Sequence, residues 1–158
     1  MIEFCATLLQ IARVQADDRY SIHFWLEELG GERFSIEELA SLEVEAFLDK
    51  KLLRPVLTNL ISNAIKYSPY GGQIQFLCTH SAEEIVFRVQ DQGIGIPLDD
   101  QSKLFKSFYR ASNVERIPGS GLGLSIVKEY VELHGGLIEL ESYVGQGTAI
   151  TVTIPLLK

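Results

Sequence analysis

The chain has 158 residues and a formal net charge of −7, with 46% hydrophobic and 22% charged residues. This length suits one ordinary domain, and the composition supplies a hydrophobic core, so we expect a single domain over residues 1–158. The acidic balance argues against a nucleic-acid-binding protein and against a polybasic membrane-surface module. It still allows an anionic ligand, because a small site can be locally positive in an acidic protein.

Cysteine usage and hydropathy bear on the cellular compartment. The spacing of the two cysteines, Cys5 and Cys78, matches no zinc site and makes a disulfide framework a poor explanation. No apolar run approaches the length of a bilayer, and no signal peptide is visible at the N-terminus. We therefore expect a reduced, cytoplasmic setting for this domain, including the case of a longer parent protein that is anchored in a membrane.

The first 50 residues carry weaker patterns than the rest of the chain. Apolar residues at helical spacing predict a helix over residues 2–16, and residues 21–26 are typical of a strand. The acidic segment 27–42 contains a Gly-Gly pair, which favours a turn and then a short helix near residues 36–42. A second, weaker strand is predicted at residues 44–48.

The remaining residues show clear elements in chain order. Asp49 is a plausible N-cap for a long helix whose apolar residues come in pairs four apart from 52 to 65. Residues 68–72 end this helix, and a second helix is predicted at 124–134. Alternating residues predict strands at 73–79, 85–90, 137–143 and 148–155. Strands with segregated helices predict an α+β fold, arranged as a two-layer sandwich.

A first polar cluster lies along the long helix. Asn59, Asn63 and Lys66 fall within about 60° of one another on the helical wheel, beside the buried stripe, and Tyr67 follows them. Ordinary polar residues at a helix edge would also explain any one of these positions. Together, however, amide oxygens suit a Mg²⁺ ion that is already bound to phosphates, and a lysine one turn on suits a phosphate oxygen.

A second cluster follows the strand that ends near Gln90. Asp91 begins the segment 91–97, which also contains Gly93 and Gly95. A plain turn would explain this pattern. The functional interpretation is that a carboxylate at a strand end accepts a hydrogen bond from the exocyclic amine of adenine, while glycines let the backbone lie against the ring. A fixed Asp would then favour ATP over GTP.

A third cluster is the glycine-rich run 119–128, which leads into a helix. Main-chain N–H groups at such a helix start can hold phosphate. The run does not fit a dinucleotide fingerprint, because the sixth position counted from Gly119 is Leu124 and no strand precedes it. A Walker A loop occurs nowhere in the sequence. Taken alone, this pattern is a weak signal.

An irregular stretch, residues 98–118, separates the second and third clusters and lies within a predicted lid of about residues 98–120. Its only aromatic-rich part is 104–110, which contains Phe105, Phe108 and Arg110. A long irregular stretch in a compact domain is either a lid or a disordered loop. We expect a lid that is mobile without nucleotide.

The order of these pieces resembles the ATP-binding catalytic domain of two-component sensor histidine kinases. Residues 59–69 resemble the family's N box, and 91–97 its first glycine box. Residues 104–113 resemble the F box, 119–128 the second glycine box, and 145–148 the glycine motif before the last strand. The match is close over residues 52–155. The resemblance implies a mixed sheet of about five strands packed on about three helices, with ATP between the helices and a lid.

The resemblance also implies roles for residues at matching positions. Asn63 corresponds to the Mg²⁺ ligand, with Asn59 in support, and Asp91 corresponds to the residue that reads adenine, assisted by Gly95 and, through water, by Thr148. The catalytic set is Asn63, Lys66 and Arg110, of which Arg110 would contact the γ-phosphate. Phe105 and Phe108 correspond to hydrophobic anchors of the lid. The other expected nucleotide-contacting positions are Tyr67, Gly93, Ile96, Gly119, Gly121, Leu122, Gly123 and Leu124.

The implied activity is transfer of the γ-phosphate of Mg-ATP to a histidine on a separate dimerisation domain, with a response regulator as the later acceptor. The residues that follow the three histidines here, Phe24, Ser81 and Gly135, do not match a phosphoacceptor, so the chain alone should not autophosphorylate. Asn59 stands where hydrolytic relatives carry a glutamate base, which argues against hydrolysis. The isolated domain is expected to be monomeric and the parent kinase a homodimer.

Two alternatives remain at this point. One is an anti-sigma serine kinase of the same superfamily, against which the Lys66-Tyr67 pair and the F box argue. The other is a nucleotide-gated binding module that closes on ATP without transferring phosphate. Intact motifs argue against an inactive site. Phosphotransfer to an added dimerisation domain would distinguish a histidine kinase from this binding module.

Overall fold

The computed structural model describes residues 20–27, 50–81 and 83–156. They form five strands and two long helices, together with one short helix and a 3₁₀ turn. The strands are β1 (Tyr20–Glu27), β2 (Gly72–His80), β3 (Glu84–Asp91), β4 (Leu137–Tyr143) and β5 (Gly147–Pro155). The helices are α1 (Lys50–Lys66), α2 (Leu98–Gln101) and α3 (Gly123–Leu133), and the 3₁₀ turn is Ser112–Val114.

Some sequence-based predictions concern residues whose structure is not described. These are the helix at 2–16, the short helix at 36–42, the strand at 44–48, and the N-cap at Asp49; they lie outside the described residues. Each described element of the sequence prediction agrees with the structure to within a few residues at its ends. The α+β two-layer prediction, with five strands in a mixed sheet, is confirmed.

The sheet has the order β1-β2-β3-β5-β4. Strand β1 runs parallel to β2, and the other three pairs are antiparallel. In β3, side chains alternate between buried and more exposed positions, which is the pattern of a sheet with one covered face. The register places Ile74 opposite Asp91, so the buried face of the sheet ends at the Asp91 carboxylate.

The core lies between this sheet face and the helices α1 and α3. Six apolar residues of the predicted stripe of α1 are buried, because residues four apart share one face of a helix, and Ile65 is partly buried against them. The six are Leu53, Val56, Leu57, Leu60, Ile61 and Ala64. Helix α3 adds Val127 and Val131, both fully buried, and the aromatic pair Phe76 and Phe87 fills the sheet side. Cys78 is buried in this core. Among the described residues, no helix has the length and apolar character needed to cross a membrane.

The lid region carries a second, smaller hydrophobic cluster formed by Leu104, Ala111 and Val114, all buried. This differs from the expected set of lid anchors. Phe108 is 75% exposed and has a positive φ of 64°, so the expectation that it anchors the lid is wrong for this structure. The cluster packs instead against Leu124 of α3 and Leu140 of β4.

Candidate nucleotide-binding site

One cavity of about 240 Å³ lies between α1, the end of β3, the start of α3 and the lid. Twelve of the seventeen positions predicted to contact nucleotide line it. They are Asn59, Asn63, Lys66, Tyr67, Asp91, Gly95, Ile96, Arg110, Gly121, Gly123, Leu124 and Thr148. The other five predicted positions are not part of its wall. They are Gly93, Phe105, Phe108, Gly119 and Leu122.

Asp91 closes one end of the cavity and is 8% exposed. Its Oδ1 atom accepts hydrogen bonds from the backbone N–H groups of Gly93, at 2.8 Å, and Thr148, at 3.2 Å. Burial raises the pKa of the Asp91 carboxyl to about 6, and the two backbone hydrogen bonds oppose this shift without cancelling it. The side chain is therefore held in a fixed orientation while part of its carboxyl group still borders the cavity.

The backbone of the first glycine box is tied to the surrounding elements. The Ile94 N–H donates to the carbonyl of Tyr67 at the end of α1, and the Ile94 carbonyl accepts from Gly145. Gly95 has φ of +65°, and an added Cβ there would lie 2.0 Å from the carbonyl oxygen of Tyr143. Only glycine fits this position, because the conformation and the close approach both exclude a side chain.

The polar row of α1 faces the opposite end of the cavity. The Asn59 Nδ2 group donates to the carbonyl of Pro55 at 2.8 Å, and its amide oxygen lies beside Gly123, 3.0 Å from the position of an added Cβ. Lys66 Nζ lies 5.0 Å from the centre of the Tyr67 ring and close under Gly119. The amide oxygen of Asn59, the amide nitrogen of Asn63 and the ammonium group of Lys66 thus lie beside the second glycine box.

The second glycine box places the N-terminus of α3 at the cavity. Leu122, which caps the helix, has no side-chain cap hydrogen bond, so the first backbone N–H groups of α3 are available to a ligand. Gly121 has φ of +73° and its carbonyl accepts from the Phe108 N–H at 2.9 Å. An added Cβ at Gly121 would lie 2.7 Å from the Phe108 carbonyl carbon, so the box and the lid are in direct contact.

Arg110 lies on the cavity wall, but its guanidinium contacts the lid itself. Its Nη2 group donates to the carbonyls of Val114, at 2.7 Å, and Ile117. Its Nε atom is buried and has no hydrogen-bond partner among the described residues. In this conformation Arg110 therefore closes the turn of the lid, and contact with a γ-phosphate would require exchange of these partners.

The sequence interpretation missed a polar cluster that builds the lid. Asp100 is 7% exposed and accepts from Tyr109 Oη at 2.5 Å and from the backbone and hydroxyl of Ser112. These bonds, that of Tyr109 foremost, lower the pKa of Asp100 to about 2, and the same contact raises the pKa of Tyr109. The Asn113 Nδ2 group donates to the Gly95 carbonyl, which links the lid to the first glycine box. The only feature of the sequence that pointed to this cluster is the pair Asp99 and Asp100, which precedes the aromatic-rich part 104–110.

Metal-ligating side chains are sparse at the site. Within residues 20–27, 50–81 and 83–156, no group of three or more His, Cys, Asp or Glu side chains could hold a metal ion. A cation here would therefore need ligands from a bound anion in addition to amide oxygens.

A carboxylate at one end of a cavity, a helix N-terminus with a lysine at the other, and a lid between them define a nucleotide-binding two-layer α/β domain. Known proteins agree with this class. The family model "Histidine kinase-, DNA gyrase B-, and HSP90-like ATPase" matches residues 48–158. The chain belongs to this family.

Relatives and solved structures narrow the similarity to sensor kinases. The chain is 36% identical over 173 residues to the sensor histidine kinase WalK of Bacillus subtilis (strain 168), covering 98% of this chain and 28% of WalK. The mycobacterial sensor histidine kinase MprB has a TM-score of 0.77 and 26% identity, covering 98% of this chain and 94% of that one. Full-length ShkA, solved in complex with AMPPNP, shares the fold with a TM-score of 0.71, 22% identity, and coverage of 98% and 30%.

Proposed function

We propose that this chain is the catalytic domain of a sensor histidine kinase, which binds Mg-ATP and donates the γ-phosphate to a histidine of a separate dimerisation domain. The observation that carries the proposal is the single cavity that joins the Asp91 carboxylate to Lys66 and the N-terminus of α3. The chain spans 28% of the length of WalK. In this proposal the histidine acceptor and the response regulator are partners of the domain. A domain of the same fold, ShkA, was solved with AMPPNP, which supports a triphosphate ligand.

In this proposal the base lies at the Asp91 end of the cavity. The carboxylate accepts one N–H of the adenine amine, and Thr148 takes part through its hydroxyl, directly or by way of a water molecule. Gly95 and Ile96 supply the flat backbone wall of this end. Apolar side chains that line the same end, such as Val89 and Ile150, exclude water and strengthen these polar contacts.

The phosphates lie at the other end, beside Lys66 and the free N–H groups of Gly123 and Leu124. Asn63 and Asn59 present amide oxygens, and with few carboxylates nearby they suit Mg²⁺, which takes most of its ligands from phosphates and water. When bound, the ion would neutralise phosphate charge. Arg110 would exchange the Val114 and Ile117 carbonyls for the γ-phosphate, so that the chain's own contribution to phosphoryl transfer is positioning and charge stabilisation.

The test measures phosphotransfer from γ-labelled ATP with and without an added dimerisation domain. We expect the chain to bind ATP in a calorimetric titration and to retain no label when it is incubated alone with γ-labelled ATP. After addition of the parent kinase's dimerisation domain, label should appear on that domain. ATP binding without any transfer would favour the nucleotide-gated binding module instead, and label retained on this chain alone would contradict the proposal.

The affinity for ATP is expected to fall as the pH drops through about 6. Asp91 Oδ1 accepts from two backbone N–H groups, so a proton on the carboxyl would turn its other oxygen from an acceptor into a donor facing the adenine amine. The pKa of about 6 leaves roughly one carboxylate in eleven ionised at pH 5. The affinity for ATP is therefore close to its maximum above pH 7 and about tenfold weaker at pH 5. Calorimetry across this range would measure the change. The pH profile of Asp91→Asn is the control, because titration of the ATP phosphates affects both proteins, and parallel profiles would contradict the assignment.

The lid is expected to become more protected with an ATP analogue than with ADP. A small hydrophobic cluster, the Asp100 bonds and the Arg110 bonds hold the lid in this conformation, and a γ-phosphate would add a charged partner for Arg110. Hydrogen exchange of residues 104–118 without ligand, with ADP and with a non-hydrolysable ATP analogue measures this. Arg110→Ala should abolish the difference between the two nucleotides, whereas Arg116→Ala, at an exposed position, should preserve it. Equal protection in all three states would refute the lid role.

A further inference from the structure

Ser142 lies near the end of β4, outside the wall of the cavity, and only 6% of it is exposed. Its Oγ atom makes three hydrogen bonds. It accepts from the Ile96 N–H at 2.9 Å, donates to the Gly147 carbonyl at 3.0 Å, and lies 2.8 Å from the Thr148 Oγ1 atom. A residue outside the cavity thus contacts the first glycine box and both residues that begin β5.

Counting protons assigns the direction of the third bond. A serine hydroxyl has one proton, and the Gly147 carbonyl can only accept, so the Ser142 proton is used there. The Thr148 hydroxyl must therefore donate its own proton to Ser142. With that proton committed, Thr148 can offer only lone pairs to the cavity that it lines.

The surroundings hold this arrangement in place. The Gln101 Nε2 group donates both to the Ile96 carbonyl, at 3.0 Å, and to the Ser142 carbonyl, at 2.9 Å. The Thr148 N–H is bonded in turn to Asp91 Oδ1. Because backbone and side chain are fixed on several sides, the hydroxyl of Ser142 has little freedom to redirect its proton.

We propose that Ser142 is a positioning residue that makes the Thr148 hydroxyl a hydrogen-bond acceptor toward the bound base. The base end of the cavity then presents acceptors only, from Asp91 and Thr148, and selects a 6-amino purine over a 6-oxo purine. The proposal rests on the proposed function, in which these two residues face the base. It adds a specificity determinant that does not itself touch the nucleotide.

The chemistry of the two purines explains the selection. A 6-amino group carries two N–H donors, which satisfy both acceptors. A 6-oxo group is an acceptor, so it would face the lone pairs of Asp91 and Thr148 with no proton between them. The N1–H donor of a 6-oxo purine lies at the neighbouring ring position, so it could meet these acceptors only if the base shifted in the cavity. Without the Ser142 hydroxyl, the Thr148 proton is free to rotate into the cavity and donate to a 6-oxo group.

The experiment compares ATP with inosine triphosphate, a 6-oxo purine nucleotide, by calorimetry on the full chain. In Ser142→Ala the ratio of the two affinities should fall by about two- to tenfold, the effect of one hydrogen bond, through tighter binding of inosine triphosphate. Ser142→Thr, which keeps a hydroxyl, should show the same ratio of affinities as the unsubstituted chain. In a Thr148→Val background, Ser142→Ala should no longer change it, because the group through which it acts is missing.

Thermal unfolding of each variant shows whether it is folded. If Ser142→Ala is not, Ser142→Cys, which keeps the volume but forms weak hydrogen bonds, is measured in its place. An unchanged ratio in the folded variant would overturn the proposal, as would an equal change in the Thr148→Val background. Failure of the unsubstituted chain to bind ATP would instead overturn the proposed function, so the two failures are distinguishable.

Discussion

Asp91→Asn is expected to weaken ATP binding by about 10- to 100-fold, corresponding to the loss of a hydrogen bond to a charged acceptor, about 1.5–3 kcal/mol. The new amide can keep one oxygen toward the Gly93 and Thr148 N–H groups, but it places a donor opposite the donor of the adenine amine. Calorimetric titration with ATP measures the effect. Ala is less informative here, since it would leave two backbone N–H groups without their acceptor.

The same substitution should stabilise the ligand-free fold. The pKa of Asp91 is raised from 3.8 to about 6, so its ionised form opposes folding by up to about 3 kcal/mol at neutral pH. The folded state binds the Asp91 proton more tightly than the unfolded state. The destabilisation by the ionised carboxylate therefore grows as the pH rises from about 4 to 6, and it disappears below pH 4. We expect a gain of about 1–3 kcal/mol in the free energy of unfolding at pH 7, shrinking toward pH 4.

The matched control is Asp99→Asn, which makes the same change of charge at an exposed position in α2. It should leave both ATP affinity and stability nearly unchanged. Unaltered ATP affinity in Asp91→Asn would mean that Asp91 only shapes the turn. Equal losses in both variants would point to a general effect of net charge.

Asn63→Ala is expected to slow phosphoryl transfer to an added dimerisation domain by about 100- to 1,000-fold, the effect of removing one group that stabilises developing charge. Asn63 lies on the cavity wall between Asn59 and Lys66, and in the proposed mechanism its amide oxygen meets the Mg²⁺ that accompanies the phosphates. The rate of label transfer from γ-labelled ATP measures the loss.

Binding of ADP in the presence of a chelator separates this role from general damage to the site. We expect the affinity of Asn63→Ala to equal that of the unsubstituted chain under those conditions, because the base end is untouched. Thr58→Ala, an exposed position on the same helix, should transfer phosphate at the normal rate. A normal transfer rate in Asn63→Ala would remove Asn63 from the mechanism.

Periodicity in the sequence was sufficient for the elements and for the fold class. Apolar pairs four apart predicted the buried face of helix α1, and alternation predicted the buried faces of strands β2 to β5. Both predictions work because burial of one face imposes these periods on the sequence. The order of the motifs was sufficient for the family resemblance, since 59–69, 91–97 and 119–128 carry residue types that the chemistry of a nucleotide demands. Residues 28–49 had no strong period, and the predictions made there lie outside the described residues.

The tertiary structure alone decided which side chains touch and what each one is free to do. The family resemblance implied that Phe105 and Phe108 anchor the lid, yet Phe108 is exposed and the buried residues of the lid are Leu104, Ala111 and Val114. The Arg110 contacts with Val114 and Ile117 form within an irregular segment that has no period to read. The bond between Ser142 and Ile96 joins residues that are 46 positions apart in the chain. Hydrogen-bond partners depend on distances of a few tenths of an ångström across the fold, whereas periodicity reports only which face of an element is buried.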